Sequence, residues 1–268
     1  MAAEDSAPQV FPNRFADAAG PSSTSLDRDR CRCVGHSVAT RPATVSFHDD
    51  RQDTTSAGWR HLLALIDEAA ADGRTVFKPF AEITGPERQQ IVTLPPTIAK
   101  LNAVKHLVLY GTNLVRIPPE IGAMTNLEIF EPYTSHRLHW YPYELTRCAQ
   151  LRHSTVSTRV LFGNVKFRPP FPALRPVTSP DDTDLSALAP GVWGADAVRT
   201  CSICAGPVDH ELHQVWISRQ VGTDVLPLLV NACSTACVAA LPEPSTGYIP
   251  TPHTGGPDIV QPTGKSAF

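Results

Sequence analysis

The sequence predicts an α/β repeat protein, a short stack of coils with an N-terminal helical cap, followed by a small metal-binding ββα module and flanked by disordered ends. Three observations carry that expectation. Apolar residues recur with a period of 23 between Ile91 and Leu174. An amphipathic helical pattern precedes the period. Two cysteine pairs with chelating gaps follow it.

The division along the chain is a leader over 1–55, a helical cap over 56–90, repeats over 91–174, a linker over 175–200, a four-cysteine module over 201–241 and a tail over 242–268. At 42% hydrophobic residues the chain can build a core, whereas its 26 prolines cluster in the segments between blocks. The leader is polar and without periodicity. Its Cys31, Cys33 and His36 could be metal ligands, although a one-residue gap rarely suits the pincer geometry of zinc and no second pair lies nearby. The opening stretch MAAEDSAPQVFPNRF has an acidic start and no apolar core, unlike a secretory signal. No apolar run approaches the roughly 18 residues of a membrane span. Seven cysteines, an odd number, without an export signal point to a reducing, cytoplasmic setting and to thiols or metal rather than a disulfide framework.

In the cap, Trp59, Leu62, Leu63, Ile66, Ala69 and Ala70 fall on one helical face. Ser56 supplies the N-cap and Gly73 the left-handed stop. Thr84-Gly85-Pro86-Glu87 has capping-box spacing for a second, short helix ending near Ile91. These pieces are apolar on one side only, so they must cover the open end of the repeat block.

The clearest coil is VKHLVLYGTNLVRIPPEIGAMTNL, from Val104 to Leu127. Leu107 and Leu109 alternate as in a short strand, and Ile117, Ile121 and Met124 return inward after it. Twenty-three residues earlier, Ile91, Leu94, Ile98 and Leu101 repeat the return leg, with Thr84 and Pro86 at the strand's leucine positions. Later, Leu127, Phe130, Leu138, Tyr141, Leu145, Cys148 and Leu151 repeat the whole, given one inserted residue before Leu138. A fourth unit, Leu151 to Leu174, keeps its end points. The pattern resembles the leucine-rich-repeat family over about 85 residues, in its L-x-x-L-x-L-x-x-N-x-L-x-x-I-P form. The resemblance implies coils that bury their apolar faces only against neighbours. It also implies a buried asparagine where this chain has Thr112, with Asn113 one place later.

Strand residues flanking the buried leucines point to the concave face, which places His106, Val108 and Tyr110 beside Ile129, Glu131 and Tyr133. His153, Thr155 and Ser157 continue the rows. Tyr110 next to Tyr133 makes an aromatic strip suited to binding a protein partner.

Cys201-Ser202-Ile203-Cys204 and Cys233-Ser234-Thr235-Ala236-Cys237 let each pair hold one ion, and four thiolates close a tetrahedral shell. Ala205-Gly206 suits the knuckle that aims amides at sulfur. His213–Gln220 and Val225–Asn231 around Gly222-Thr223-Asp224 read as a hairpin, and a helical turn follows Cys237 and stops at Pro242. A knuckle, a hairpin and a second pair at a helix start resemble a treble-clef zinc finger. The resemblance implies one structural Zn2+ per chain on Cys201, Cys204, Cys233 and Cys237. Four protein ligands leave no open position for a catalytic water. His210 or His213 as a substitute ligand, four buried thiols and two disulfides are the alternatives. Removing metal is expected to unfold this module and spare the repeats.

The rest favours recognition over catalysis. No phosphate loop, dinucleotide fingerprint, Gly-x-Ser-x-Gly or His-Glu-x-x-His motif is present. Cys148 sits at a core position, and His106, His136, His139 and His153 have no ligand spacing. Net charge is −3, but Pro86 to Arg175 carries 11 Lys/Arg against 5 Asp/Glu. The expected function is a non-enzymatic protein–protein adaptor. One alternative is a nucleic-acid-binding regulator using the basic block and the finger. That is unlike this finger, where Arg219 is the lone basic residue between Cys201 and Cys237, against Asp209, Glu211 and Asp224. The other is an effector or enzyme-accessory protein.

Overall fold

The computed structural model describes residues 45–48, 50–174, 200–208 and 211–263. They form a mixed α/β fold with a four-stranded and a three-stranded sheet. No helix among them is long and apolar enough to cross a membrane. Cys31, Cys33, His36, His210 and nearly all of the expected linker lie outside the described residues.

Helix α1 (Ala57–Asp72) starts where Ser56 Oγ accepts the Trp59 amide at 3.3 Å and stops at Gly73 with φ 66°. It buries Leu62, Leu65, Ile66 and Ala69. The chain then forms strand β1 (Val76–Phe77) and two short helices, α2 (Pro79–Glu82) and α3 (Gly85–Gln89). At the start of α3, Glu87 Oε2 accepts from the Thr84 amide at 3.1 Å and the Thr84 hydroxyl at 2.7 Å. The 56–90 block is therefore not purely helical. It supplies the first strand of the sheet, which the sequence pattern does not reveal because β1 lies 30 residues before its partner instead of 23.

Strands β1, β2 (His106–Val108), β3 (Ile129–Glu131) and β5 (His153–Ser154) pair in parallel in that order. His106 faces Ile129, and Ile129 faces His153, offsets of one period and one period plus a residue. Three 3-10 turns, Pro96–Lys100, Pro119–Ala123 and Tyr143–Arg147, recur at the same offsets on the return side. Each follows a proline and buries one branched residue, Ile98, Ile121 and Leu145 in turn. The turns stack closely: a Cβ at Gly122 would lie 2.6 Å from the Glu144 carbonyl oxygen. Between sheet and turns, Leu94, Val104, Leu107, Leu109, Leu114, Ile117, Met124, Leu127, Phe130 and Leu138 are all buried. Thr112 is buried too, and its hydroxyl meets the Ser135 hydroxyl at 2.6 Å, one period on. Ser135 Oγ in turn donates to the Leu109 carbonyl at 3.0 Å. A hydroxyl pair thus bridges adjacent coils at the expected asparagine position.

The fourth coil departs from expectation after β5. Its end, Leu174, packs not on the stack but in a second core with Trp140, Phe162, Phe171, Trp216, Leu229 and Ile249. The place of a fourth return leg is taken by a hairpin of β6 (His213–Val221) and β7 (Asp224–Ala232). Strand β4 (Tyr141–Pro142), which leads into the third turn, pairs in parallel with β7, Tyr141 opposite Leu228. Val215, Ile217, Leu226, Leu228 and Val230 join the core of the stack, as do Cys201 and Val208. The cysteine segment is therefore not a separate unit; it closes the stack.

Both disordered ends need correction for the residues described. Val45 and Phe47 pack into the second core, where Phe47 stacks on Trp216 at 5.6 Å. Asp50 binds Arg137 Nη2 at 2.7 Å and accepts from Arg116 through its carbonyl. Gln52 clasps the first coil, donating to the Gln90 carbonyl at 2.9 Å and accepting the Val92 amide at 2.9 Å. On the other side the tail seals the outer edge of β6, with Trp216 and His253 exchanging backbone bonds at 2.8 and 3.1 Å. Both faces of the hairpin are buried over most of its length, and β7 carries a nearly continuous apolar run over 225–230.

Two measurements test this architecture. Leu109→Ala should cost about 2–5 kcal/mol, as buried large-to-small changes do, and Val108→Ala well under that. Equal losses in denaturant titrations would show the wrong strand register. The tail should respond to pH through His253, whose ring is buried beside Phe171 at 4.7 Å and accepts the Gly255 amide at Nδ1. Burial holds it down to about 4. A depressed value favours the neutral ring, so its contribution is full above about pH 6.5 and lost as pH falls to about 4. Melting temperature should drop across that window, and the drop should shrink in His253→Gln. An unchanged slope in the variant would refute the assignment.

Candidate metal centre and recognition face

The four predicted ligands converge. Cys201 and Cys204 sit on a knuckle whose ends, Thr200 and Pro207, form an antiparallel bridge. Ala205, not Gly206, takes the left-handed conformation, at φ 58°. Gly206 serves by closeness, since a Cβ there would meet Cys204 Sγ at 3.3 Å. Cys233 follows β7, and Cys237 lies inside the short helix α4 (Thr235–Ala239), capped by Ser234 Oγ accepting the Cys237 amide at 3.2 Å. The helix thus begins before the second cysteine of its pair, not after it.

All four sulfurs lie within 4.8 Å of one another. Cys233 Sγ is 3.6 Å from both Cys204 Sγ and Cys237 Sγ. Tetrahedral zinc–thiolate bonds of about 2.3 Å place sulfurs about 3.8 Å apart, so the donor set fits one ion. Amides aim at the sulfurs as such sites require. Ile203 and Cys233 donate to Cys201 Sγ, and Gly206 to Cys204 Sγ, each at 3.4 Å. Burial pushes the Cys201 thiol up, but hydrogen bonds from the Cys204, Cys233 and Ile203 backbone outweigh it and bring it to about 7. Sharing with the Cys237 and Cys204 sulfurs pushes Cys233 up to about 12. Four sulfurs this close need a cation to become thiolates together. No other group of three or more possible ligands converges among the described residues. Glu211, not a sulfur, holds His213, at 2.8 Å.

The sequence alone did not show what grips the knuckle from below. Ser202 Oγ donates to Glu144 Oε1 at 2.7 Å and accepts the Asn231 amide at 2.9 Å. Arg147 Nη2 donates to the Ser202 carbonyl at 2.9 Å. Glu144 and Arg147 both belong to the third 3-10 turn, so the knuckle is bolted to the stack. Burial raises the Glu144 carboxyl above its ordinary value, while Ser202 opposes the rise. Glu144 repeats the position of Glu120 in the preceding turn, so spacing alone does not single it out. Cys148 is buried and its thiol is pushed up to about 12 by desolvation, the state of a core residue and not of a nucleophile.

On the outward side of the parallel sheet, His106 and Val108 flank buried Leu107, and Ile129 and Glu131 flank buried Phe130. Tyr110 and Tyr133 lie with ring centroids 6.1 Å apart, and Tyr133 is 47% exposed. His106 Nε2 meets Glu131 Oε2 at 2.9 Å. Lys105 pairs with Glu128 at 3.1 Å, and Arg152 reaches the same carboxylate from the next coil. The outward row is a continuous surface whose charges are largely answered within it.

No protein-family profile matches the chain, and no curated protein sequence matches it. The cysteine cluster and the outward face of the parallel sheet are the two places from which a function can be read.

Proposed function

We propose that this chain is a non-enzymatic recognition protein of the leucine-rich-repeat type. Its concave strip of His106, Val108, Tyr110, Ile129, Glu131 and Tyr133 binds a protein segment, and a four-cysteine zinc site stabilises the end of the repeat stack. The observation that carries the binding site is the adjacent, outward Tyr110–Tyr133 pair on a parallel sheet whose own charges are mutually paired. Tyrosine offers apolar area and a hydrogen-bonding tip, the combination enriched at binding hot spots.

Size narrows the partner. Four strands of two or three residues at about 4.8 Å spacing give a face on the order of 200 Å2. A stable interface between folded domains covers about 800 Å2 per side. The face suits one helix or one extended segment, with little net charge. The basic excess of the block does not form a polyanion surface either. Arg116 is buried, Arg137 is held by Asp50, and Arg147 and Arg168 donate to backbone carbonyls.

The zinc assignment predicts about one zinc per purified chain, measured without chelator under reducing conditions. It should fall to near zero when Cys204 and Cys237 are both replaced by serine. Metal-free protein with wild-type stability would remove it.

For recognition, Tyr110→Ala/Tyr133→Ala should abolish capture of native partners without lowering the melting temperature appreciably, because outward residues add little to the core. Between about 50 and 200 mM salt, affinity for the captured partner should barely change. A loss of roughly a thousandfold over that range, with sensitivity at Lys105, would mark a nucleic-acid ligand and overturn the proposal.

A further inference from the structure

We propose that metal occupancy at Cys201, Cys204, Cys233 and Cys237 controls the order of the concave recognition face, through the hairpin that closes the stack. The inference rests on the zinc and recognition readings above and adds the link between them.

The connection is a chain of contacts with a cysteine site at one end and a recognition strand at the other. At the base, an ion would tie the knuckle to the end of β7 and to α4. Without the ion the knuckle is held through one side only: Cys201 and Ser202 are buried and Ser202 bonds Asn231 of β7, whereas Cys204 is exposed and Cys233 and Cys237 are half-buried. From the knuckle, Ser202 and the carbonyls of Cys201 and Ser202 engage Glu144 and Arg147 of the third turn. If the knuckle leaves, Glu144 Oε1 loses its hydroxyl partner; its Oε2 has none already among the described residues. A buried carboxylate stripped of its donor destabilises the turn that carries it.

The far end of the hairpin grips the sheet itself. Its tip turns at Gly222, φ 61°, so close to β5 that a Cβ there would lie 3.0 Å from the Ser154 amide nitrogen. Ser154 Oγ accepts the Thr223 and Asp224 amides at 3.1 and 3.2 Å, and its one proton points to Asp224 Oδ2 at 2.8 Å or the Val221 carbonyl at 3.0 Å. Thr223 Oγ1 donates to the Ser154 carbonyl at 2.7 Å. β5 is the last strand of the recognition sheet and pairs with β3 alone. A two-residue edge strand has little stability of its own, so its order depends on the hairpin tip. Ion, knuckle, third turn, hairpin and β5 therefore form one cooperative unit, whereas α1 at the opposite end lies outside it.

Hydrogen exchange on the full chain tests this. Zinc-loaded protein, the same protein stripped with EDTA in reducing buffer, and Cys204→Ser are compared, the last removing an exposed ligand without opening a core cavity. On zinc loss, amide protection should fall about tenfold or more in 129–131, 141–147 and 153–156 as well as in 213–232, and 57–72 should keep its protection. Returning zinc should restore the stripped wild type. Ser154→Ala should retain zinc yet lose protection at 153–156, showing that the tip contact carries the effect. If zinc is bound but its removal affects only 201–241, the coupling is refuted and the metal site stands. If no zinc binds and EDTA changes no amide, the metal reading itself fails and takes the coupling with it.

Discussion

The parallel sheet and its return turns present two apolar ends, and the need to cover them organises much of the rest of the described residues. Each inner coil is buried by its neighbours; the terminal ones are not. At the first coil, α1 lays Leu62, Leu65, Ile66 and Ala69 over the opening, with β1 extending the sheet beneath it. At the third and fourth coils the same task falls to a hairpin that is itself too thin to stand alone. It gains a second covered face from the end of the leader and the tail. The aromatic core around Trp216 arises from that second demand.

Polar groups inside the stack follow the same logic of shared burial. Thr112 and Ser135 satisfy one another across coils, where a longer amide would be expected to bridge several backbone groups. Arg116 and Arg137 cross to the leader, meeting Asp50 and its carbonyl, so a strap of chain outside the period runs along the coils and ties them together. Hydrogen bonding from His48 and Arg137 holds the Asp50 carboxyl well below its ordinary range. Arg116 and Arg137 thereby spend their charge on internal contacts rather than on an outward field.

What was legible in the sequence was whatever is encoded by local spacing. Ser56 and Gly73 bound α1 because capping needs only neighbouring residues. Leu107, Leu109 and Ile117 are buried because a strand alternates and a return leg does not. The cysteine pairs meet because two chelating gaps flank a hairpin. What was hidden depends on contacts distant in sequence. β1 joins the sheet only because two short helices lengthen the first loop, which no period marks. His253 and Phe47 lie in proline- or polar-rich stretches that look unfoldable alone, and they are ordered by Trp216. Glu144 is a liability in its own coil and makes sense only once Ser202 is above it.

The position of Trp216 bears on the order in which the molecule can assemble as it is made. Phe47 emerges early, but the ring it stacks on comes some 170 residues later, and Ile249 and His253 later still. The coils, built from contacts about one period apart, can form while synthesis continues. The strap cannot settle until the hairpin exists, and the outer edge of β6 stays open until the segment around His253 follows it. Between those moments the nascent chain presents a half-built sheet with unpaired backbone and bare aromatic rings. That interval is when it is most exposed to wrong partners and to chaperones.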